Sequence, residues 1–185
     1  MVLYHLSHNL YPQSDAAFPR IFDPIKSYTK SAFNKEFEFC LEDGHMPEGA
    51  KAYWDALWAK SQPRLIDDAT QFDGASIDNA RSHFEAWTSE QKMQDRFPSY
   101  RMFILVDEES LQTLLTTPIP EGLGWNKERW KHYVKLVEAW QESDSPYMGW
   151  MKYSLEGIWS LWANMEDGCY MRSSFMMVHD YRDVY

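Results

Sequence analysis

The side chains able to do chemistry are few and scattered along the chain. His5 and His8 stand three apart in Tyr4-His5-Leu6-Ser7-His8. Residues 2–7 are β-prone and predict a strand. In a strand, a separation of three sends two side chains to opposite faces, so the pair is poorly set to share a metal. No cysteine or third histidine stands at ligand spacing, and no metal site is expected. Asp67, Asp68 and Asp73 form an acidic run. Paired aspartates suit magnesium through hard oxygens, but no glutamate stands where a calcium loop needs one. The run reads as a solvated loop and a helix cap. Glu128 and His132 are four apart on a predicted helix and could orient a general base. Such a pair on a surface is worth only a few tenths of a kcal/mol. Serine lacks a nucleophile elbow, and Gly122-Leu123-Gly124 lacks the strand and lysine of a phosphate loop.

Tyr4-His5 at the start of the chain has a further reading. A Tyr-His pair in an N-terminal strand resembles the opening strand of ADP-ribosyltransferases. The resemblance implies that His5 contacts the ribose of NAD. Arg20 borders the long stretch at residues 8–22, which carries Asn9, Pro12, Ser14, Asp15 and Pro19 and predicts a loop. Unstructured loops of that length are often functional. His5 and Arg20 are therefore the catalytic candidates.

Tryptophan is the most unusual feature: there are 9, with 11 Tyr, 10 Phe and 10 Met. Trp125, Trp130, Trp140, Trp150, Trp159 and Trp162 crowd one region. Several fall on stripes expected to face the core. Trp125, Trp150 and Trp162 fall off or at the edge of those stripes and are the binding candidates. Large, rigid, amphipathic rings dominate binding hot spots. The leading expectation is a non-catalytic interaction or regulatory protein that binds a protein partner, or itself as a homo-oligomer. It would do so through an aromatic-rich, acid-rimmed surface, with no cofactor. The alternative is a small enzyme or ligand-binding domain with an aromatic pocket, including an ADP-ribosyltransferase-like use of NAD.

The net charge of −10 repels phosphate backbones and anionic lipid, so neither nucleic acid nor membrane is an expected partner. The longest apolar run, residues 102–106, is too short to span a bilayer. Cys40 and Cys169 are too few and too far apart for a disulfide framework. With no signal-peptide pattern at the start, a cytoplasmic location is expected.

The elements that must position these residues follow from periodicity. Residues 1–185 read as one globular domain of α+β class, mostly helical with about three strands; an all-α fold is the alternative. Asp23-Pro24 looks like a cap and first turn, followed by Ile25, Tyr28, Ala32, Phe33 and Phe37 on one helical face. Further helices are expected from Pro47 to Pro63 and from Ser76 onward. Residues 100–106 predict a strand covered on both faces, with Asp107 capping a short helix. Asn126 to Trp140 and Ser145 to Met165 predict helices, and residues 175–178 a last strand. Gly157 either weakens its helix or admits a close neighbour.

Overall fold

Continuous apolar runs decide where the sheet forms. In the computed structural model, which describes residues 2–6, 14–44, 47–60, 64–94, 96, 98–116, 131–140, 147–164 and 169–177, three strands are buried along their whole length. These are β1 (Val2–His5), β3 (Met102–Val106) and β4 (Tyr133–Glu138). A strand buried on both faces needs apolar or paired side chains at every position, not an alternating pattern. Two further strands flank them: β2 (Arg64–Ile66) and β5 (Trp150–Ser154). The order across the sheet is β2-β1-β3-β4-β5. β1 runs parallel to both neighbours, with Tyr4 opposite Ile66 and His5 opposite Val106. β4 runs antiparallel to β3 and β5.

Helices cover both faces. They are α1 (Ser14–Glu42), α2 (Ala50–Lys60), α3 (Ala69–Phe72), α4 (Ile77–Glu90), α5 (Pro98–Arg101), α6 (Glu108–Thr116), α7 (Ile158–Asn164) and α8 (Cys169–Met177). On one face Leu3, Ile104, Val106, Val134, Leu136, Met151 and Tyr153 pack with Ile25 and Tyr28 of α1, Leu111 of α6, Ile158 of α7 and Met171 of α8. On the other face Val2, Tyr4, Phe103, Leu105 and Val137 pack with Phe72 of α3 and with Ala80 and Phe84 of α4. Arg81 of α4 donates to the carbonyls of Glu138, Met148 and Gly149, tying that helix to the β4–β5 connection.

The expected α+β class holds, but the sheet has five strands rather than three. β2 was not expected; it is three residues long and sits at an edge. The largest correction falls on residues 126–140, of which 131–140 are described. Tyr133, Val134, Val137 and Trp140 mimic a helical stripe, yet these residues carry β4. The polar residues between them are not a solvent face: Lys135 is 9% exposed and Glu138 4%, each in an ion pair. With every side chain buried, the segment is a two-sided strand. Residues 150–154, also expected to be helical, pair with β4 instead, and the helix begins only at Ile158. Residues 175–177 end α8 rather than forming a strand. α1 begins at Ser14, ahead of Asp23-Pro24, which lie inside it. No described helix is long and apolar enough to cross a membrane.

Candidate functional site

The chain leaves neighbouring strands β1 and β2 on opposite faces. After β1 it forms α1, which packs beside Leu3. After β2 it forms α3 and α4, which pack beside Val2 and Tyr4. In open sheets with parallel strands, ligands bind outside the carboxyl ends where adjacent connections diverge in this way. Two candidate residues stand at that position, and each is there for a local reason.

His5 is the last residue of β1 and shares the face of Leu3 by strand alternation. It is 1% exposed. Asp67 follows β2 directly, and the parallel register that sets Tyr4 against Ile66 carries it next to His5. His5 Nδ1 lies 2.9 Å from Asp67 Oδ1. An ionised carboxylate only accepts, so Nδ1 carries the hydrogen and Nε2 is the basic ring nitrogen. The Asp67 side chain is 31% exposed, so solvent reaches the pair through its carboxylate. Asp68, next along, does a different job. It caps α3 by accepting from the backbone and hydroxyl of Thr70. The acidic run thus divides into one cap and one partner for a histidine. Behind the pair, the Leu6 carbonyl accepts from Gly74 N, and Leu6 N donates to Val106 O. The end of β1 is therefore held on both sides.

Tyr4 points the other way. Its hydroxyl lies 2.8 Å from His83 Nδ1, and its ring packs edge-on against Phe72. Burial pushes its pKa above the ordinary tyrosine value, against a smaller opposing pull from Arg64. The phenol stays neutral and shares a hydrogen bond with His83. Tyr4 thus serves the core while His5 serves the strand end.

A second polar group stands beyond β3. Asp107 Oδ1 caps α6 by accepting from Ser110 N, and Oδ2 meets Lys135 Nζ. Lys135 Nζ is also 3.2 Å from Glu109 Oε2, and Glu109 Oε1 meets Lys152. Two acids face two lysines, so the group is balanced and pins α6 to β4 and β5. The Lys135 ammonium sits 5.2 Å over the Trp150 ring, and Lys152 sits 5.0 Å over Tyr133.

The other sequence candidates are dispersed. Arg20 lies in α1 rather than a loop, with its side chain outside the described residues. Trp125 is outside them altogether, as is Glu128. Trp150 is half-buried beneath Lys135. Trp162 is half-buried against the core, 5.4 Å from the Trp159 ring. His132 is buried with its Nδ1 3.4 Å from the Tyr28 hydroxyl. Among the described residues, no group of three His, Cys, Asp or Glu side chains is placed to hold a metal. Sequence reasoning found His5 but missed its partner. The Asp67 signal was its place directly after a short β-prone run, Leu65-Ile66. No protein family, curated protein or solved structure matches this chain.

Proposed function

We propose that the chain binds a small polar molecule outside the carboxyl ends of β1 and β2, and that His5 exchanges a proton with it there. The observation that carries this reading is the part-buried His5–Asp67 pair at the point where adjacent strands send the chain to opposite faces. A histidine whose Nδ1–H is held by a carboxylate is fixed in orientation and tautomer. Nε2 is itself enclosed, so the proton it takes must come from a hydroxyl or water that enters at the strand end, and the carboxylate then stabilises the imidazolium. Asp67 is a positioning residue in this scheme. The reaction class is acid–base chemistry on a hydroxyl-bearing ligand. NAD is the first ligand to try, because the Tyr4-His5 strand resembles that of ADP-ribosyltransferases.

The test is a thermal-shift and native mass spectrometry screen of nucleotides, NAD included, sugars and hydroxy acids. Wild type would be run beside His5→Gln and Asp67→Asn, with circular dichroism confirming that each variant folds. The expected result is a ligand that raises the wild-type Tm and binds at least about tenfold more weakly to both variants, since losing one partner of a charge-assisted bond costs about 1.5–3 kcal/mol. A ligand that binds all three proteins equally, or none that binds wild type, would overturn the reading.

A further inference from the structure

Among the described residues, the most exposed large apolar side chains, Tyr53, Phe39 and Leu41, stand on α1 and α2. Past Phe33 no side chain of α1 is buried, and among the described side chains of α2 only Ala50 is. The two helices form a hairpin held by its own rings. Phe33 packs on Trp54 at 4.9 Å and on Trp58 at 5.1 Å, and Phe37 packs on Trp54 at 5.4 Å. Trp54 Nε1 donates to the Phe33 carbonyl. Leu41 lies one turn beyond Phe37 on the same side of α1. It is 49% exposed, and Tyr53, beside Trp54 on α2, is 71% exposed. Beside Tyr53 an open groove of about 320 Å³ is lined by Pro47, Glu48, Gly49, Ala50, Tyr53 and Trp54. Isolated apolar side chains on a surface need no explanation, but Tyr53 lines a groove whose surface is almost wholly apolar.

The charge around the groove selects its occupant. Glu42 and Asp43 end α1, Glu48 lines the groove wall, and Glu38 stands one turn before Glu42. No basic residue stands in the last turn of α1. Acids at a helix carboxyl terminus add to the negative end of the helix dipole and cost helix stability, so this tip carries a concentrated negative potential. The nearby lysines do not relieve it: Lys35 pairs with Glu156, and Lys51 pairs with Asp55. A second copy of the chain would bring the same acids against these and is repelled. We infer that the α1–α2 hairpin docks a basic amphipathic helix of a partner protein. The partner's apolar stripe lies along Leu41, Trp54 and Tyr53, and its Lys or Arg residues face Glu42, Asp43 and Glu48. This is the helix-in-groove mode of recognition.

The probe is a synthetic amphipathic Leu/Lys helix, with two controls: the same residues scrambled out of register, and the Leu/Glu counterpart. Binding is measured by calorimetry at low and moderate salt and mapped by backbone amide shifts. The expected result is that the amphipathic Leu/Lys peptide binds at least tenfold more tightly than the scrambled one. Its shifts should centre on α2 and the end of α1, and binding should weaken with salt and be lost in Leu41→Ser/Tyr53→Ser. Both positions are exposed, so this variant folds. Equal binding of the scrambled peptide, shifts centred elsewhere, unchanged binding by the double variant, or no binding would each overturn the inference. So would sedimentation as a dimer that Tyr53→Ser dissolves, which would make a second copy the occupant. Loss of the strand-end ligand would leave these results unchanged, and the reverse holds as well.

Discussion

Glu109 is a half-exposed carboxylate facing three donors. Burial pushes its carboxyl up, but hydrogen bonds from Lys152, Tyr133 and Lys135, with the Lys135 charge, outweigh burial and hold its pKa at about 2. The folded value lies below the ordinary 4.5, so ionised Glu109 stabilises the fold above that pH. The contribution is lost as pH falls from about 4.5 toward about 2. Because the side chain is 47% exposed, solvent screening limits it to about 1 kcal/mol. Glu109→Gln should therefore unfold in less urea than wild type at pH 7, and the difference should shrink steadily toward pH 3. A difference that stayed constant with pH would mean that packing, not charge, is what Glu109 supplies. Little of this was legible in the sequence. Asp107 read correctly as the cap of a helix, but Lys135 and Lys152 fall in segments expected to be helices. Their partners lie 28 and 43 positions away and are chosen by strand pairing. His5 was legible because its own neighbours mark a strand. Asp67 was not, because only the β1–β2 register brings it there.

Elements with their own start and stop signals were the ones the sequence placed well. Ser76 caps α4 by accepting from Asn79 N, and Asp107 caps α6 in the same way. α2 lies between Pro47 and Pro63 as expected. β4 and β5 were misread because their identity depends on each other: neither is a strand without the other or β3 alongside. Gly157 sits in the turn between β5 and α7, and a Cβ there would stand 2.5 Å from Cε1 of Tyr153, whose ring is buried. Two effects oppose each other in Gly157→Ala. Restricting the unfolded chain stabilises by roughly 0.4–1 kcal/mol, while forcing a methyl into a filled core costs roughly 1–3 kcal/mol. The clash is larger because Tyr153 has no solvent to move into. The variant should have a lower Tm than wild type, and Gly157→Ala/Tyr153→Leu should recover part of the loss. A raised Tm in the single variant would show that the ring gives way easily and that the close approach is not what Gly157 is for.

Across the whole molecule, stability is spread unevenly. The sheet joins residues 2–5 to 64–66 and 103–106, so its centre forms only when distant parts of the chain meet. That long-range pairing is why sequence periodicity gave the class but not the strand order. The α1–α2 hairpin is different in kind. Its contacts are between rings of neighbouring segments, and it hangs on the core through the middle of α1, where Ile25, Tyr28 and Phe33 are buried. From there α1 reaches α7, with Phe33 edge-on to Trp159 at 4.6 Å and Glu36 bonded to Trp159 Nε1. α2 lies outside that anchor, with Ala50 its one buried residue among the described side chains. A segment that buries little apolar surface opens locally at lower cost than the whole fold. Native-state hydrogen exchange should therefore show α2 amides opening at a free energy on the order of 2 kcal/mol or more below that of β1, β3 and β4, with the middle of α1 grouped with the sheet. Added denaturant should change the α2 values little, because that opening exposes little surface. If α2 instead exchanges at the same free energy as β3, the hairpin folds as one cooperative unit with the sheet. The rings of Phe33, Phe37, Trp54 and Trp58 would then carry stability from the core to its tip.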